Sequence, residues 1–372
     1  MKIALTAEQL AFRDEVRAFL QPWKHLNKYL VSENSPDLME FFRAMAKRNW
    51  LSLVWPVADG GLGRSAMDEF ILWNEIAYNR IARAPHSVGI VAKTIVRYGT
   101  PEQKAQWLPR IRAMDLTMAL TYSEPEAGSD LAGVRCRAER QGDHYVITGN
   151  KCWNSRAHQS DYLWLLCRTG EQSARGKALS LIIVPRESPG LRIRPIEVMD
   201  GNFFTEITCD AVKVPVENRI GPENGAWSMM GAALADERHV QFLYGRLRRD
   251  YEDVLNFVRA NGADRDPVVR HRLRELAIDV AEAELQSLRV AVAVNDGIDA
   301  PAESAANKLV HTLVCQAIAR AAMEFGCESA VLVDIGIEIL WRQSMIETIG
   351  GGTTQIMNSV VARQRLGLNG TK

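Results

Sequence analysis

The sequence predicts an α+β chain in three parts: an N-terminal helical domain over 1–115, a middle β-domain over 116–222 and a C-terminal helical domain over 223–372. Capped helices occupy the first stretch. β-branched and aromatic runs cut by turn residues fill the second, and long apolar stripes at helical spacing return in the third. The chain has 372 residues, more than one hydrophobic core usually fills, so more than one domain is expected.

The helical opening is written in its caps. Thr6 is followed by Gln9 at the capping-box position, and Leu10, Phe12, Val16, Phe19 and Leu20 then recur at helical spacing. Thr100-Pro101-Glu102-Gln103 repeats the cap with proline at the first helical position. The glycine-rich loop from Asp59 to Ser65 interrupts these helices. The middle stretch reads as strands at LTMALTYSE, VRCRAERQ, HYVITGNKCW, DYLWLLCR, ALSLIIVP and LRIRPIEV, separated by turns such as Gln141-Gly142-Asp143 and Ser188-Pro189-Gly190. Several alternate, the pattern of an antiparallel sheet or small barrel. In the third stretch Val240, Leu243, Leu247, Tyr251, Val254 and Val258 step by threes and fours, which predicts one helix with a continuous stripe. Asp266-Pro267 opens another through Leu273, Leu276, Val280 and Leu285. A third covers roughly 302–326, and a last follows Gly350-Gly351-Gly352 with Ile356, Val360 and Val361.

Composition narrows the function. Lys plus Arg and Asp plus Glu number 45 each, so no net field draws in nucleic acid or an anionic membrane. No apolar run approaches the ~18 residues of a membrane span, and Thr6, Glu8 and Asp14 break any signal-peptide core; a cytoplasmic protein is expected. The 6 cysteines form no CxxC pair and the 7 histidines no HxxxH or HExxH spacing, so no metal site is expected. There is no GxGxxG between a strand and a helix and no GxSxG elbow, and the glycine spacing of Gly170 to Lys177 is wrong for a phosphate loop.

Four features remain. The turn Leu120-Thr121-Tyr122-Ser123-Glu124-Pro125-Glu126-Ala127-Gly128-Ser129-Asp130 is rich in hydroxyls and small residues; it is either an ordinary polar turn or a cradle for a phosphate or polar ring edge. In Lys151-Cys152-Trp153-Asn154-Ser155, the tryptophan is either core filler or a stacking platform. The glycine triplet before Thr353-Thr354-Gln355-Ile356 places free N–H groups at a helix start, where an anion is favoured, although such loops are also common structural joints. Glu237 shares a helical face with Met230, Leu234, Val240, Tyr251 and Val258, at about 100° per residue. A carboxylate on an apolar face must be paired, protonated or functional. Asp236 lies near the edge of that stripe, and periodicity does not choose between the two.

With these residues in view, LTYSEPEAGSD (120–130) resembles the first signature of the acyl-CoA dehydrogenase family, KCWNS (151–155) its flavin-stacking strand and GGGTTQIMNSVVARQRLGL (350–368) its C-terminal signature. The helix–β–helix order and chain length match as well. The resemblance implies an N-terminal helical domain, a middle antiparallel β-barrel and a C-terminal four-helix bundle, with FAD between β-domain and bundle in a homotetramer or heterotetramer. It places Tyr122 and Ser123 at the flavin's pyrimidine end, Trp153 against the ring with Ser155 near N5, and Ser129 at acyl-CoA or the flavin phosphates. Thr353 and Gln355 match cofactor-holding positions, partly serving a neighbouring subunit. Most medium- and short-chain members carry the catalytic base in the last signature, where this chain has Gly350 and Gly351. Isovaleryl- and long-chain-type members place a Glu followed by Arg on the first long C-terminal helix, which Glu237-Arg238 matches; the resemblance thus selects Glu237 over Asp236 as base and puts Arg238 beside the substrate.

The implied activity is α,β-dehydrogenation of an acyl-CoA to a trans-2-enoyl-CoA, with electrons passing to an electron-transfer flavoprotein. The family's adenosine-end pattern departs here: Asn261 stands where an aromatic is usual, Pro267 falls at the glutamine position and Arg259 is displaced by one residue. Two other readings therefore stand beside the first, a half-site or non-catalytic subunit of a heteromeric acyl-CoA dehydrogenase and a flavin monooxygenase on the same scaffold.

Overall fold

The computed structural model describes residues 4–26, 35–332 and 336–368, and the side chains at 234–238, 327 and 329 lie outside the described residues. Helices α1 (Ala7–Leu20), α2 (Pro36–Lys47), α3 (Ala66–Tyr78), α4 (Lys93–Tyr98) and α5 (Pro101–Arg112) come first. Strands β1 (Met118–Thr121), β2 (Arg137–Gln141), β3 (His144–Ser155), β4 (Tyr162–Arg168), β5 (Leu179–Pro185), β6 (Leu191–Glu197), β7 (Phe203–Pro215) and β8 (Arg219–Ile220) follow. Helices α6 (Ala226–Gln241), α7 (Tyr244–Ala260), α8 (Pro267–Asn295), α9 (Pro301–Phe325), α10 (Glu338–Glu347) and α11 (Thr354–Leu366) complete the chain. The predicted caps form: Thr6 and Thr100 each close a capping box, and Asp266 accepts a hydrogen bond from the Val268 N–H.

By packing, the chain forms two compact units. One comprises Ser32–Arg64 and Ala84–Glu237, the other Met1–Val31, Ser65–Arg83 and Arg238–Lys372. In the first, one sheet runs in the order β6-β7-β3-β2-β4-β5-β8, with β1 beside β4. The β1–β4 and β2–β4 pairs are parallel, the rest antiparallel. Among the described residues no ladder joins β6 to β8, so the expected barrel is an open sheet. Its edges explain why: β6 is mostly exposed and carries Arg192, Arg194 and Pro195, and β8 is two residues long. Tyr145, Ile147, Leu163, Leu165, Ile182 and Val184 belong to the core on its buried face.

The second unit has a helical core. Leu247, Val254 and Val258 of α7 meet Leu273, Leu276 and Val280 of α8, Val314, Ile318 and Phe325 of α9 and Leu340 of α10. Leu285, predicted on the buried stripe of α8, is instead exposed. One expectation is overturned: the stripe from Val240 to Val258 is not one helix. Leu243 is extended (φ −88°, ψ 128°) and separates α6 from α7. The freed Phe242 carbonyl accepts hydrogen bonds from Ser287 Oγ and Asn307 Nδ2, both at 3.2 Å, so tertiary donors replace the helical ones. Tyr251 and Val258 therefore do not share a helix with Glu237.

Candidate functional site

In the sheet unit, the turn after β1 is fixed by a buried ion pair that the sequence reading missed. Lys151, on β3, donates to the Tyr122 carbonyl at 2.9 Å and to Glu124 Oε1 at 2.8 Å. Its side chain is wholly buried and that of Glu124 nearly so. Glu124 also accepts from the N–H groups of Arg135 (2.6 Å) and Cys136 (2.9 Å). Together with Cys152 N–H donating to the Ser123 carbonyl at 3.0 Å, this makes Tyr122 and Ser123 rigidly placed residues. Tyr122 accepts from Trp164 Nε1 at 3.1 Å. Behind it lies a cavity of about 10 Å³ lined by Ile90, Thr94, Tyr122, Trp164, Leu181 and Met230; that is room for one water and no ligand. Ser129 is exposed beyond the Glu124–Ala127 bridge.

β3 carries the second feature. Lys151 pairs with Ile207 and Asn154 with Thr205, so one extra residue bulges out of β3 between them. Trp153 sits in that bulge at φ +60° and is 60% exposed, its ring 6.4 Å from Phe204 in an edge-on contact. Ser155 pairs with Phe204 in the same register and is half-buried. An indole 60% exposed on strained backbone is not core filler.

In the helical unit, Thr353 is the N-cap of α11, its hydroxyl accepting from the Ile356 N–H at 3.2 Å, and Gln355, in the first turn, is exposed. Ahead of them Gly351 and Gly352 adopt φ +68° and +99°, which a residue with a Cβ adopts only under strain. Lys308 of α9 reaches this loop and donates to the carbonyls of Gly350 and Gly352. The nearby carboxylate Glu347 is paired to Arg83 at 2.6 Å. Burial alone would raise its pKa, but Arg83, His311 and Arg246 overcome that and hold it at about 2.

Arg259 is exposed near the end of α7, and Asn261 makes two local hydrogen bonds, donating to the Phe325 carbonyl at 3.3 Å and accepting from the Ala263 N–H at 3.0 Å. On α6, Glu237 and Arg238 fall among the side chains outside the described residues. His239, two residues on, is buried, with Nε2 2.7 Å from Glu69 Oε2 of α3. Among the described residues no group of His, Cys, Asp and Glu is arranged to hold a metal ion, and no helix is long and apolar enough to cross a membrane.

A helical opening, a central sheet with an outward-facing indole and a helical close with a glycine loop define a helix–sheet–helix class of fold. The comparisons give that class its family. Models of the acyl-CoA dehydrogenase N-terminal, middle and C-terminal domains match residues 6–115, 119–212 and 224–366. The acyl-CoA dehydrogenase FadE26 of Mycobacterium tuberculosis is 35% identical over 99% of both chains, and FadE29 of the same organism is 31% identical over 98% of both. Among solved structures, the Tcur3481-Tcur3483 steroid ACAD superposes with a TM-score of 0.91 at 30% identity, and the ChsE4-ChsE5 complex of M. tuberculosis with 0.90 at 31%, each covering 100% of both chains. The chain belongs to the acyl-CoA dehydrogenase family of FAD-dependent oxidoreductases. The residues present fit the cofactor at the ring end, where the exposed Trp153 offers a stacking face; at the adenosine-end position Asn261 is exposed and keeps one N–H and one lone pair beyond its two hydrogen bonds within the fold.

Proposed function

We propose that this chain is an acyl-CoA dehydrogenase in which Glu237 abstracts the α-proton of an acyl-CoA thioester and the product is the trans-2-enoyl-CoA. The observation that carries the choice of base is at Gly350 and Gly351: the positions from which other members supply the carboxylate hold glycine, in a loop whose backbone disfavours any side chain at 351. Glu347, four residues earlier, is a poor substitute, because a carboxylate held at about 2 has little proton affinity. Glu237 then supplies the general base, and the developing charge on the thioester oxygen must be met by fixed N–H donors.

Tyr122, Ser123, Trp153 and Ser155 hold the cofactor's ring end in this reading. Thr353, Gln355 and Arg259 contribute further contacts, and Ser129 and Arg238 serve the acyl-CoA. FAD, when bound, supplies the acceptor for the β-hydrogen. We place the enzyme in the cytoplasm, with an electron-transfer flavoprotein as acceptor. The test is Glu237→Gln in protein that retains its flavin: acyl-CoA-dependent flavin bleaching should slow by about 10²–10⁴-fold, and bleaching at the wild-type rate would remove Glu237 from the role.

A second reading is that the chain is one half of a heteromer. Two observations favour it: the altered adenosine-end positions Arg259, Asn261 and Pro267, and solved relatives that each pair two named components. Expression alone should then give protein that loses FAD on gel filtration, and co-expression with a homologous chain should restore it. The steroid relative also makes bulky acyl-CoAs the first substrates to screen.

A further inference from the structure

The chemistry proposed above does not use the buried charge of Lys308 on α9. Lys308 is 2% exposed. Its ammonium donates to the Gly350 and Gly352 carbonyls and lies 5.5 Å from the centroid of the Phe242 ring. Among the described residues no carboxylate pairs with it; it is solvated by backbone dipoles and a ring face. Burial pushes its pKa down to about 8, so it keeps its proton at neutral pH.

Its neighbours on the chain complete a bridge. Asn307, the preceding residue on α9, donates to the Phe242 carbonyl at the break between α6 and α7. Ser287 of α8 donates to the same oxygen. Two consecutive residues of one helix thus grip two segments: Asn307 holds the end of the helix that bears Glu237, and Lys308 holds the loop that leads into Thr353 and Gln355. The ammonium is the common neighbour: it touches the loop carbonyls on one side and lies over the Phe242 ring on the other. A Cβ built on Gly351 would lie 3.8 Å from Lys308 Nζ and 4.0 Å from Phe242 Cζ, which places Gly351 over the same two groups.

We propose that Lys308 is a positioning residue, whose ammonium locks the glycine loop 350–352 to the α6–α7 break so that the end of α6 and the start of α11 keep one fixed relation. The inference rests on the reading of Glu237, Thr353 and Gln355 given above, since it is their placement that the bridge would govern. A core lysine with no such role would, when replaced, loosen the helical unit as a whole. A positioning lysine loosens two segments and leaves the rest.

Amide hydrogen exchange on the full-length protein separates these cases. In Lys308→Met, peptides covering 348–357 should exchange about tenfold faster or more, while peptides from α8 and from β3–β7 keep wild-type rates. The dissociation constant for FAD, read by equilibrium dialysis, should rise about tenfold, and kcat should fall by at least about tenfold with KM for acyl-CoA changed less than about threefold, as misplacement of a reacting group requires. Lys308→Arg, which keeps a cationic donor, should restore exchange at 348–357 to within about threefold of wild type. Wild-type exchange at 348–357 in Lys308→Met, or equal loosening of every helix in both variants, overturns the proposal.

Should Lys308→Met not fold, Asn307→Ala decides. It loosens 239–246 by losing the Phe242 contact, and if the two segments are one piece it must also speed exchange at 348–357; unchanged exchange there overturns the link. Normal turnover in Glu237→Gln, by contrast, would sink the base assignment and leave the exchange result standing, so the two failures are distinguishable.

Discussion

Two loops in this protein are pinned by a buried lysine, and they differ in what faces the charge. Lys151 holds the turn after β1 through a carboxylate, Glu124, which itself accepts from two backbone N–H groups. Lys308 holds the glycine loop through two carbonyls and a ring. The first is a closed network of opposite full charges, whose members cannot be removed singly without stranding the other in a dry interior. The second is a cation among dipoles, and its removal strands only carbonyls, which water can reach in the exposed loop. One arrangement is therefore costly to break, and the other chiefly sets where its loop lies.

The largest expected effect tests that contrast directly. Lys151→Met should destabilise the folded protein by about 3–5 kcal/mol, because the Glu124 carboxylate is left buried and unpaired. Adding Glu124→Gln should recover much of the loss by removing the stranded charge. Lys308→Met should cost less, about 1–3 kcal/mol, the loss of hydrogen bonds to a charged donor. Urea midpoints of the three variants check the order. If Lys308→Met proves the costlier single change, the distinction between the two loops does not hold.

Next in size is a dependence on acid that belongs to the helical unit. His311 lies one turn from Lys308 on α9, its ring 5.6 Å from that of Phe242. Burial, joined by the Arg83 and Arg246 charges and opposed by Glu347 and Asp250, lowers its pKa from 6.5 to about 4. Between those values the unfolded chain binds a proton that the folded chain refuses. Stability must therefore fall as pH drops through that window, by about 3 kcal/mol in all. Glu347 acts at lower pH: its depressed pKa stabilises the fold above the ordinary carboxylate value of 4.5, and that contribution is lost as pH falls toward about 2. Thermal midpoints at pH 7, 5.5 and 4.5 should show His311→Gln losing less than wild type on acidification; equal slopes would remove His311 as the cause.

How far the sequence discloses this depends on whether an element obeys its period. The caps at Thr6, Thr100 and Asp266 are local chemistry and form as predicted, and six of the strands fall on the patterned runs, β3 running two residues beyond its own. β7 was not among the predicted strands. Its alternation slips at Ala211 (φ +52°), opposite the irregularity between Ile147 and Gly149, so the period-2 signal is cut in half. The α6–α7 break was missed for the opposite reason: the 3.6-residue pattern runs straight through Phe242 and Leu243, and the groups that replace the helical bonds are distant in sequence, Ser287 and Asn307 on the Phe242 carbonyl and Asn74 on the Gly245 N–H. Lys151 and Lys308 read as ordinary polar residues, because no spacing rule marks a lysine whose partners are 27 and 42 residues away. The signatures around Trp153 and Thr353 were legible as a resemblance, but the bulge that turns Trp153 outward was not.

The smallest effect expected on the fold is the most informative about the site. Trp153 is the kind of residue that stability alone would not retain. At φ +60° it carries the strain of a side chain in the left-handed region, about 1 kcal/mol relative to glycine. Its aromatic neighbour Phe204 returns a similar amount through an edge-on contact worth about 0.5–1.5 kcal/mol. Trp153→Gly should thus leave the unfolding free energy, read by urea denaturation, within about 0.5 kcal/mol of wild type. If the indole is a flavin platform, the same variant should lose FAD and its visible absorbance. Loss of cofactor with an intact fold would separate this tryptophan from Trp164, which is fully buried in the sheet unit and whose replacement by alanine should cost about 3–5 kcal/mol. A Trp153→Gly protein destabilised to the same degree would instead make Trp153 a structural residue, and the strained bulge would have to be explained by packing rather than by a ligand.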